Sequence, residues 1–208
     1  MDNRPEIDRE TFSLPFRIYP ALQPEPSEIL RVSNCKAKEN DMTSQRQATA
    51  NLVHNGEYSD LRFVNMMSAH HAMAVSMAEV ALDKGEHDEL VDFAKTMIKD
   101  QKKEIETLDK IIEDLDGPDD VATETHPHER SMLGMDSPEE LARKSPFDKA
   151  FIDSQLPHHA SAIEMAAVAL KQSQNDDIKK LSRSIIDAQC KEIGKMIDWR
   201  HSWYGEKG

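Results

Sequence analysis

The chain has 208 residues, of which 31% are charged and 5% aromatic, and its formal net charge is −13 at pH 7. This length is enough for one domain or two small ones, and the few aromatic residues and glycines favour an all-helical protein over a β-sandwich or barrel. The acidity argues against nucleic acid as a partner, because phosphate binding depends on clustered lysines and arginines. An acidic surface would instead concentrate cations around the protein.

The cysteines and the apolar segments exclude further classes. Cys35 and Cys190 are far apart and no CxxC motif is present, so the sequence gives neither a cysteine zinc site nor a disulfide framework. No apolar run reaches the roughly 18 residues that cross a bilayer, so we expect no membrane span. The first residues lack the apolar core of a signal peptide, which predicts a chain without an export signal.

The first part of the chain, residues 1–41, is rich in proline and polar residues and has no sustained periodicity. This composition predicts an extended, flexible N-terminal arm. Residues 42–58 predict a short helix and a turn, because apolar residues follow helical spacing as far as Asn55-Gly56, a pair that stops a helix or makes a turn. The helix is expected to run from Met42 to Asn55.

An internal repeat organises the rest of the chain. Residues 60–82 align without a gap with residues 148–170, and the register continues into the helices that follow. Each copy carries two adjacent histidines on its first helix and a Gln-x-x-Glu motif on its second, so the repeated unit is a helical hairpin. The aligned motif residues are His70 and His71 with His158 and His159, and Gln101 and Glu104 with Gln189 and Glu192.

The repeat and its capping signals predict two hairpins joined by a linker. The first hairpin covers residues 59–116 and the second covers residues 146–204. The linker, residues 117–145, is acidic at first, then rich in His and Met, and contains a short helix after Ser137. We predict that residues 59–204 form one domain, an antiparallel four-helix bundle made of duplicated hairpins.

Helical periodicity places the repeated polar residues on the inner faces of this bundle. At about 100° per residue, His71 and His159 lie at the centres of the apolar faces of the two first helices, with His70 and His158 at the edges. The glutamines and glutamates fall on the apolar seams of the second helices. Burying an ionisable glutamate without a partner is costly, so we expect the imidazoles to meet Gln and Glu inside the bundle, either from the second helix of the same hairpin or from the other hairpin.

Two interpretations of this inner polar layer stay open. In one, the histidines bond to Glu104 and Glu192 in a purely structural network that fixes the register of the helices. In the other, the same groups and nearby thioethers hold a metal ion, since imidazole and carboxylate are metal ligands and bundle interiors often contain such sites. The two glutamates would then orient the imidazoles or, for a harder ion, ligate it directly.

Methionines near the histidines indicate which metal. Met67 precedes His71 by one helical turn, and thioether with imidazole favours copper, particularly Cu(I), over magnesium or calcium. The predicted ligands are chiefly His70, His71, Met67 and Met77, with His158, His159 and Met165 from the second copy. Gln101, Gln189, Glu104 and Glu192 are predicted as orienting or additional groups, and the linker residues His126, His128, Met132 and Met135 as an accessory site.

Both hairpins resemble the family called domain of unknown function 305, here as two tandem copies over roughly residues 59–204. The family pattern combines F-x-x-x-M-x-x-HH-x-x-A on the first helix with Q-x-x-E-I on the second. The matching residues are Phe63, Met67, His70, His71, Ala74, Gln101, Glu104 and Ile105, then Phe151, His158, His159, Ala162, Gln189, Glu192 and Ile193. The resemblance implies a ferritin-like four-helix bundle that is usually extracytoplasmic, in the periplasm or cell envelope. It also implies copper binding and copper tolerance, the activity attributed to the CopM-like members.

The second copy departs from the family pattern. Gln155 stands where the pattern prefers Met, and Ser161 stands opposite Met73 of the first copy. Because thioethers are the softer donors, the first hairpin is the better candidate for a soft metal.

Catalytic motifs are missing from the sequence. It contains no Glu-x-x-His motif of di-iron oxidases, and no P-loop, nucleophile elbow or HExxH motif, so we expect no enzymatic activity. The predicted function is binding or buffering of copper ions linked to copper tolerance, with homo-oligomerisation left open. The alternative is a helical structural or interaction protein whose inner layer holds no metal.

Overall fold

The computed structural model describes residues 52–54, 57–115 and 136–205. Their secondary structure consists of four long helices, one single-turn helix and a pair of two-residue strands. In chain order the elements are β1 (Val53–His54), β2 (Glu57–Tyr58), α1 (Asp60–Lys84), α2 (Asp88–Asp114), α3 (Pro138–Leu141), α4 (Phe147–Gln172) and α5 (Asp176–Tyr204). Across this described part, no helix is both long and apolar enough to cross a membrane.

The helices begin and end at residues that suit those positions. At the start of α1, the side chain of Ser59 accepts a hydrogen bond from the backbone N–H of Arg62 at 3.3 Å. Ser137 and Glu140 form the capping box that the sequence predicts for α3. Gly205 ends α5 with φ at 65°, the left-handed conformation that glycine adopts without strain.

The turn between α1 and α2 requires glycine at position 85. A Cβ added to Gly85 would lie 2.6 Å from Val91 Cγ2 and 2.8 Å from the carbonyl oxygen of Ala81. Both distances are shorter than a close-packed interior tolerates. Any other residue would therefore push α2 away from the end of α1.

The short hairpin before α1 corrects one expectation from the sequence. Val53 and His54 are extended and pair antiparallel with Glu57 and Tyr58, so the prediction of a helix as far as Asn55 is wrong for these residues. The physical reason is local: Val and Tyr favour strands, and Asn-Gly between two strands is a typical two-residue hairpin turn.

The bundle consists of two helical hairpins, α1 with α2 and α4 with α5, and the hairpins meet chiefly through α1 and α4. These two helices run antiparallel, because residues late in α1 contact residues early in α4. Gln155 Nε2, for example, donates a weak hydrogen bond to Met77 Sδ at 3.5 Å. The all-α bundle predicted from the sequence is confirmed.

A buried aspartate joins the hairpins at one end of the bundle. The carboxylate of Asp148, which is fully buried, accepts hydrogen bonds from the backbone N–H groups of Glu86 and His87 at 2.9 Å each, and from His87 Nδ1 at 2.7 Å. Glu86 in turn accepts from the backbone N–H of Phe147 at 3.1 Å. The His87 ring stacks on Trp203 with ring centroids 3.8 Å apart, so the last turn of α5 belongs to the same junction.

Two apolar clusters fill the bundle. The first apolar cluster consists of Leu52, Phe63, Val64, Met67, Leu108, Ile111, Ala162, Met165, Ala166, Ala169, Ile178, Leu181 and Ile185. The second apolar cluster consists of Met77, Ala78, Ala81, Leu90, Phe93, Ala94, Met97, Leu141, Phe147, Phe151, Ile152, Ile193 and Met196. Each of their large side chains contributes roughly 1.5–3 kcal/mol through burial, so the two clusters supply most of the driving force for folding.

Several predicted segments lie outside the described residues: the N-terminal arm at 1–41, the part of the predicted short helix at 42–51, and most of the linker, 117–135. The domain boundaries drawn from the sequence therefore stay predictions.

Candidate metal centre

Four histidines form a buried layer inside the bundle. His70, His71, His158 and His159 are each at most 2% exposed, in agreement with the inward orientation predicted from helical periodicity. Their rings adjoin one another: the ring centroids of His70 and His158 lie 3.6 Å apart, and the two rings within each pair lie about 6 Å apart. We call these four residues the histidine layer.

The histidine layer separates the two apolar clusters along the helices that carry it. On α1 the histidines follow Met67 of the first apolar cluster and precede Met77 of the second. On α4 they follow Ile152 of the second and precede Met165 of the first. The layer is therefore shielded from water by apolar packing on both sides.

Two glutamates from the second helices close the edges of the layer. His159 Nε2 donates a hydrogen bond to Glu192 Oε2 at 2.7 Å. His71 Nε2 lies 2.9 Å from Glu104 Oε2, but off the angle of a hydrogen bond, so this is a close polar contact without that bond. Both carboxylates are about one-sixth exposed, at 17% and 18%. Each hairpin brings its own Glu to its own histidine, which decides between the two pairings that the sequence leaves open.

The two remaining imidazoles link the hairpins across the centre of the layer. His158 Nε2 donates to the backbone carbonyl of His70 at 3.1 Å. His70 Nε2 lies 2.8 Å from Ser161 Oγ, and the Ser161 hydroxyl donates to the backbone carbonyl of His158 at 2.7 Å. The rings of His70 and His158 stack with 28° between their planes. The stacking and these hydrogen bonds together hold α1 against α4.

These contacts determine which nitrogen of each ring carries the proton. A carbonyl oxygen can only accept, so His158 holds its proton on Nε2. The Ser161 hydroxyl has one proton and gives it to a carbonyl, so it accepts from His70, which also holds its proton on Nε2. In neutral His70 and His158 the lone pair is therefore on Nδ1.

Burial keeps these two imidazoles neutral. It lowers the pKa of His70 and of His158 well below the usual 6.5, and repulsion from neighbouring imidazoles, if protonated, lowers each pKa further. Neutral imidazole is the form that binds metals, so at neutral pH both rings are ready to act as ligands without losing a proton.

The layer contains polar atoms that the protein does not satisfy. The Nδ1 atoms of all four histidines are buried without a hydrogen-bond partner. Outside the layer, on α2 and α5, both amide atoms of Gln101 and of Gln189 are buried and unpartnered as well. Leaving a buried acceptor unpaired costs about 1–3 kcal/mol. Unpaired Nδ1 lone pairs suit a bound cation, so the donor chemistry of the layer fits a metal ion that prefers nitrogen ligands.

Three buried thioethers flank the histidines. Met67 and Met165 lie in the first apolar cluster, and Met77 lies in the second, each at most 1% exposed. Gln155, the repeat-related counterpart of Met67, is fully buried and places its amide against Met77. Imidazole and thioether together match the ligand preference of copper, particularly Cu(I).

The described residues do not present a ready-made metal cage, even with the four histidines counted. In the ranges that the structure covers, no three side chains of His, Cys, Asp or Glu are grouped so as to hold one metal ion. An ion in the histidine layer would therefore need other donors, for which the buried thioethers are the candidates.

A family model described as "Domain of unknown function (DUF305)" matches residues 60–200, a range that includes the whole histidine layer and both hairpins except the last turn of α5. This chain belongs to the DUF305 family.

Solved DUF305 structures share its fold. A structure of CopM in the Cu(I)-bound form is 33% identical over 72% of this chain and 100% of its own, with a TM-score of 0.62. A structure of CopM in the Cu(II)-bound form is 34% identical over 71% of this chain and 99% of its own, with a TM-score of 0.66. A DUF305 fragment from Deinococcus radiodurans, 22% identical over 65% of this chain and 91% of its own, has a TM-score of 0.58 and supports the fold alone. No curated protein matches the chain.

The DUF305 pattern identified the layer, but it did not reveal all of its contacts. The structure brings the four histidines together and places Glu104 and Glu192 beside them. It does not show contacts of Met67 or Met165 with the imidazoles. The linker residues His126, His128, Met132 and Met135 lie outside the described residues, so the accessory site stays a prediction.

Sequence reasoning missed the roles of Ser161 and Gln155 inside this DUF305 bundle. Both had been noted only as departures from the repeat, yet Ser161 bonds to His70 and Gln155 to Met77. The sequence held the same indication in both cases: a polar residue in one copy aligns with a methionine in the other. Both residues also lie on a helix whose neighbouring positions are buried.

Proposed function

We propose that this DUF305 protein binds and buffers copper in its histidine layer, as a non-enzymatic contribution to copper tolerance. The observation that carries the proposal is the set of four buried Nδ1 atoms without a hydrogen-bond partner. The CopM structures with bound Cu(I) and Cu(II), at 33% and 34% identity, support copper as the metal. A further CopM structure in a silver-bound form fits the same preference for soft ions.

The proposed ligands are the imidazoles of the histidine layer and the thioethers of Met67, Met77 and Met165. When bound, copper would supply a soft cation whose charge the neutral imidazoles and thioethers stabilise by donating lone pairs. These side chains are held in place by apolar packing, so little ordering is needed on binding.

Glu104 and Glu192 have a separate role in this proposal. Each carboxylate approaches the Nε2 side of its histidine and leaves Nδ1 without a protein partner, which is how carboxylates orient metal-binding imidazoles. Their negative charges also offset the cost of bringing a cation into an apolar interior. Both tasks require a partly buried carboxylate, and both glutamates meet that requirement.

We also propose that the protein acts outside the cytoplasm, as the family resemblance implies. Periplasmic or cell-envelope proteins meet copper before it enters the cytoplasm. Fractionation of cells that express the natural gene tests this location.

The experiment that tests the function is an anaerobic Cu(I) titration of the untagged protein against a chromophoric Cu(I) chelator, with elemental analysis of the product. We expect the native protein to withdraw Cu(I) from the chelator, and the double variant His70→Ala/His71→Ala to bind about tenfold more weakly or worse. Copper should also raise the thermal midpoint of the native protein, since a ligand at one hundred times its Kd stabilises by about 2.7 kcal/mol.

His201→Ala is the matched control, because His201 is exposed on the last turn of α5, and this variant should bind as the native protein does. Circular dichroism shows whether the double variant keeps its helices. His70→Gln, which leaves a smaller cavity, is a second variant if it does not. Native protein that leaves Cu(I) with the chelator would refute the proposal and favour a purely structural layer.

A further inference from the structure

We propose that Ser161 is a positioning residue that holds His70 in the Nε2-protonated tautomer and so offers its Nδ1 lone pair to copper. This inference rests on the function proposed above. Ser161 is 3% exposed and lies three residues after His158 on α4. Its hydroxyl reaches across the interface between the hairpins to His70 on α1.

The two hydrogen bonds of Ser161 allow only one direction of donation. Its oxygen lies 2.7 Å from the backbone carbonyl of His158 and 2.8 Å from His70 Nε2. If the hydroxyl pointed at the imidazole instead, two oxygen lone pairs would face each other at 2.7 Å, which is repulsive. The hydroxyl therefore donates to the carbonyl and accepts from His70.

Burial makes this arrangement decisive for the tautomer of His70. The ring is 2% exposed, so no bulk water competes with Ser161 for the Nε2 proton. Its Nδ1 has no protein partner. Without the hydroxyl, neither ring nitrogen would have a side-chain acceptor, and the Nε2–H and Nδ1–H forms would become closer in free energy.

The repeat provides an internal reference for this effect. His158, the counterpart of His70, donates its Nε2 proton to a backbone carbonyl, so its tautomer does not depend on any side chain. The position that corresponds to Ser161 in the first copy is Met73, which has no hydroxyl. A change at Ser161 should therefore alter the ring of His70 and leave the ring of His158 nearly as it was.

The first measurement uses long-range ¹H–¹⁵N spectra of the metal-free full-length protein at neutral pH, which distinguish a protonated ring nitrogen from a bare one. In the native protein, His70 and His158 should both show protonated Nε2 and bare Nδ1. In Ser161→Ala, His70 should show a mixture of the two tautomers, while His158 keeps the native pattern. Ser161→Thr keeps a hydroxyl at the same place and should restore the native pattern of His70.

Ser154→Ala is the matched control for these spectra. Ser154 lies on the same helix, is 4% exposed, and has a buried hydroxyl without a hydrogen-bond partner. Its removal deletes the same atom from the same helix without touching the histidine layer. Both rings should then keep the native pattern, which separates the loss of a specific bond from a general loosening of α4.

The second measurement is the Cu(I) competition titration on the same variants. Ser161→Ala should weaken Cu(I) binding by about tenfold, the lower end of the effect usual for groups that orient metal-binding imidazoles. Ser161→Thr should recover at least half of this loss on a logarithmic scale. Ser154→Ala should match the native affinity. If Ser161→Thr unfolds, Ser161→Cys, with a weaker donor and acceptor, should give an intermediate affinity.

The two readouts separate the two proposals. A native His70 pattern in Ser161→Ala would overturn the positioning role whatever the copper result. A changed His70 pattern with unchanged Cu(I) affinity would show that copper does not use the Nδ1 lone pair of His70. That result would also overturn the positioning role of Ser161. If the native protein binds no Cu(I) while the spectra change as expected, the proposed function fails, and the assigned bond from His70 to Ser161 stands as a structural contact alone.

Discussion

The two hairpins carry the same histidines but surround them with different neighbours. Because α1 and α4 run antiparallel, the repeat-related residues end up on opposite sides of the histidine layer. The side of the first apolar cluster has two thioethers, Met67 and Met165. Among the repeat-related positions that flank the histidines, the side of the second has one thioether, Met77, with the amide of Gln155 against it. The other methionines of that cluster, Met97 and Met196, lie on α2 and α5.

This comparison shows where the two hairpins differ. The histidines and their glutamates are retained in both hairpins, and their distances differ by only a few tenths of an ångström. The hairpins differ at the positions that flank the histidines, where a soft thioether in one hairpin corresponds to a harder amide or hydroxyl in the other. The layer is therefore symmetric in its imidazoles and asymmetric in its thioethers, which makes the hairpins natural controls for each other.

The largest expected effect tests the symmetry of the core. Phe63 and Phe151 correspond in the repeat, are both fully buried, and lie in different apolar clusters. Phe63→Ala and Phe151→Ala should each lower the free energy of unfolding by about 3–5 kcal/mol, and their effects should add because the sites share no cluster. Chemical denaturation measures both. A cost below about 1.5 kcal/mol at either site would show that its cluster is loosely packed.

The next effect tests the two Glu–His contacts. Glu192→Ala should cost about 2 kcal/mol because it removes a true hydrogen bond to His159, whereas Glu104→Ala should cost about 1 kcal/mol because its contact with His71 lacks that geometry. Glu→Gln at each position keeps an acceptor and serves as the control. The two carboxylates are similarly exposed, so a larger cost at Glu104 would contradict the assignment of the stronger bond to the second hairpin.

The pH dependence of stability tests the central pair of histidines. The folded protein lowers the pKa of His70 and His158, so below about pH 6.5 the unfolded chain binds more protons than the folded one. Stability should therefore fall as the pH decreases from 7 to 5, by at most about 1.4 kcal/mol per pH unit for each histidine.

Denaturation curves of the metal-free protein at several pH values measure this slope. His70→Gln and His158→Gln should each remove a similar part of it, because both rings are almost fully buried and face the same neighbours, His71 and His159. An unchanged slope in both variants would assign the acid sensitivity to other groups.

The smallest expected effect is that of Gln155→Met, which gives both hairpins a methionine at this repeat-related position. Gln155 is fully buried, and its Oε1 has no hydrogen-bond partner. Gln155→Met removes that unpaired acceptor at similar volume, so it should stabilise the fold by up to about 1 kcal/mol. It should also strengthen Cu(I) binding by adding a soft donor. Thermal melts and the competition titration measure the two effects, and a loss above about 2 kcal/mol would mean that the amide makes an essential bond.

The sequence was sufficient for the fold and for the members of the buried layer. A gapless repeat with helical periodicity determines which faces are apolar, and the positions of the histidines on those faces follow from geometry alone. The sequence predicted that the imidazoles meet Gln and Glu inside the bundle, but the structure was needed to show that each His meets the Glu of its own hairpin.

The sequence could not predict the contacts between the hairpins. Whether His70 meets Ser161 or a carbonyl depends on how far α4 slides along α1, and periodicity within a helix carries no information on that offset. The same holds for Gln155 and Met77. The strands at Val53–His54 were missed for a different reason: a two-residue extended segment is too short to show an alternating pattern.

The aromatic residues at the end of α5 make one property of the protein easy to observe. Trp199 and Trp203 are its two tryptophans, and they stack on each other with ring centroids 5.1 Å apart. At 1.5 Å per residue, they lie about 10 to 17 Å along α5 from Glu192. Indole emission therefore reports on the Asp148 junction, where Trp203 covers His87. A diamagnetic ligand such as Cu(I) that alters this emission has changed the packing at the far end of the bundle.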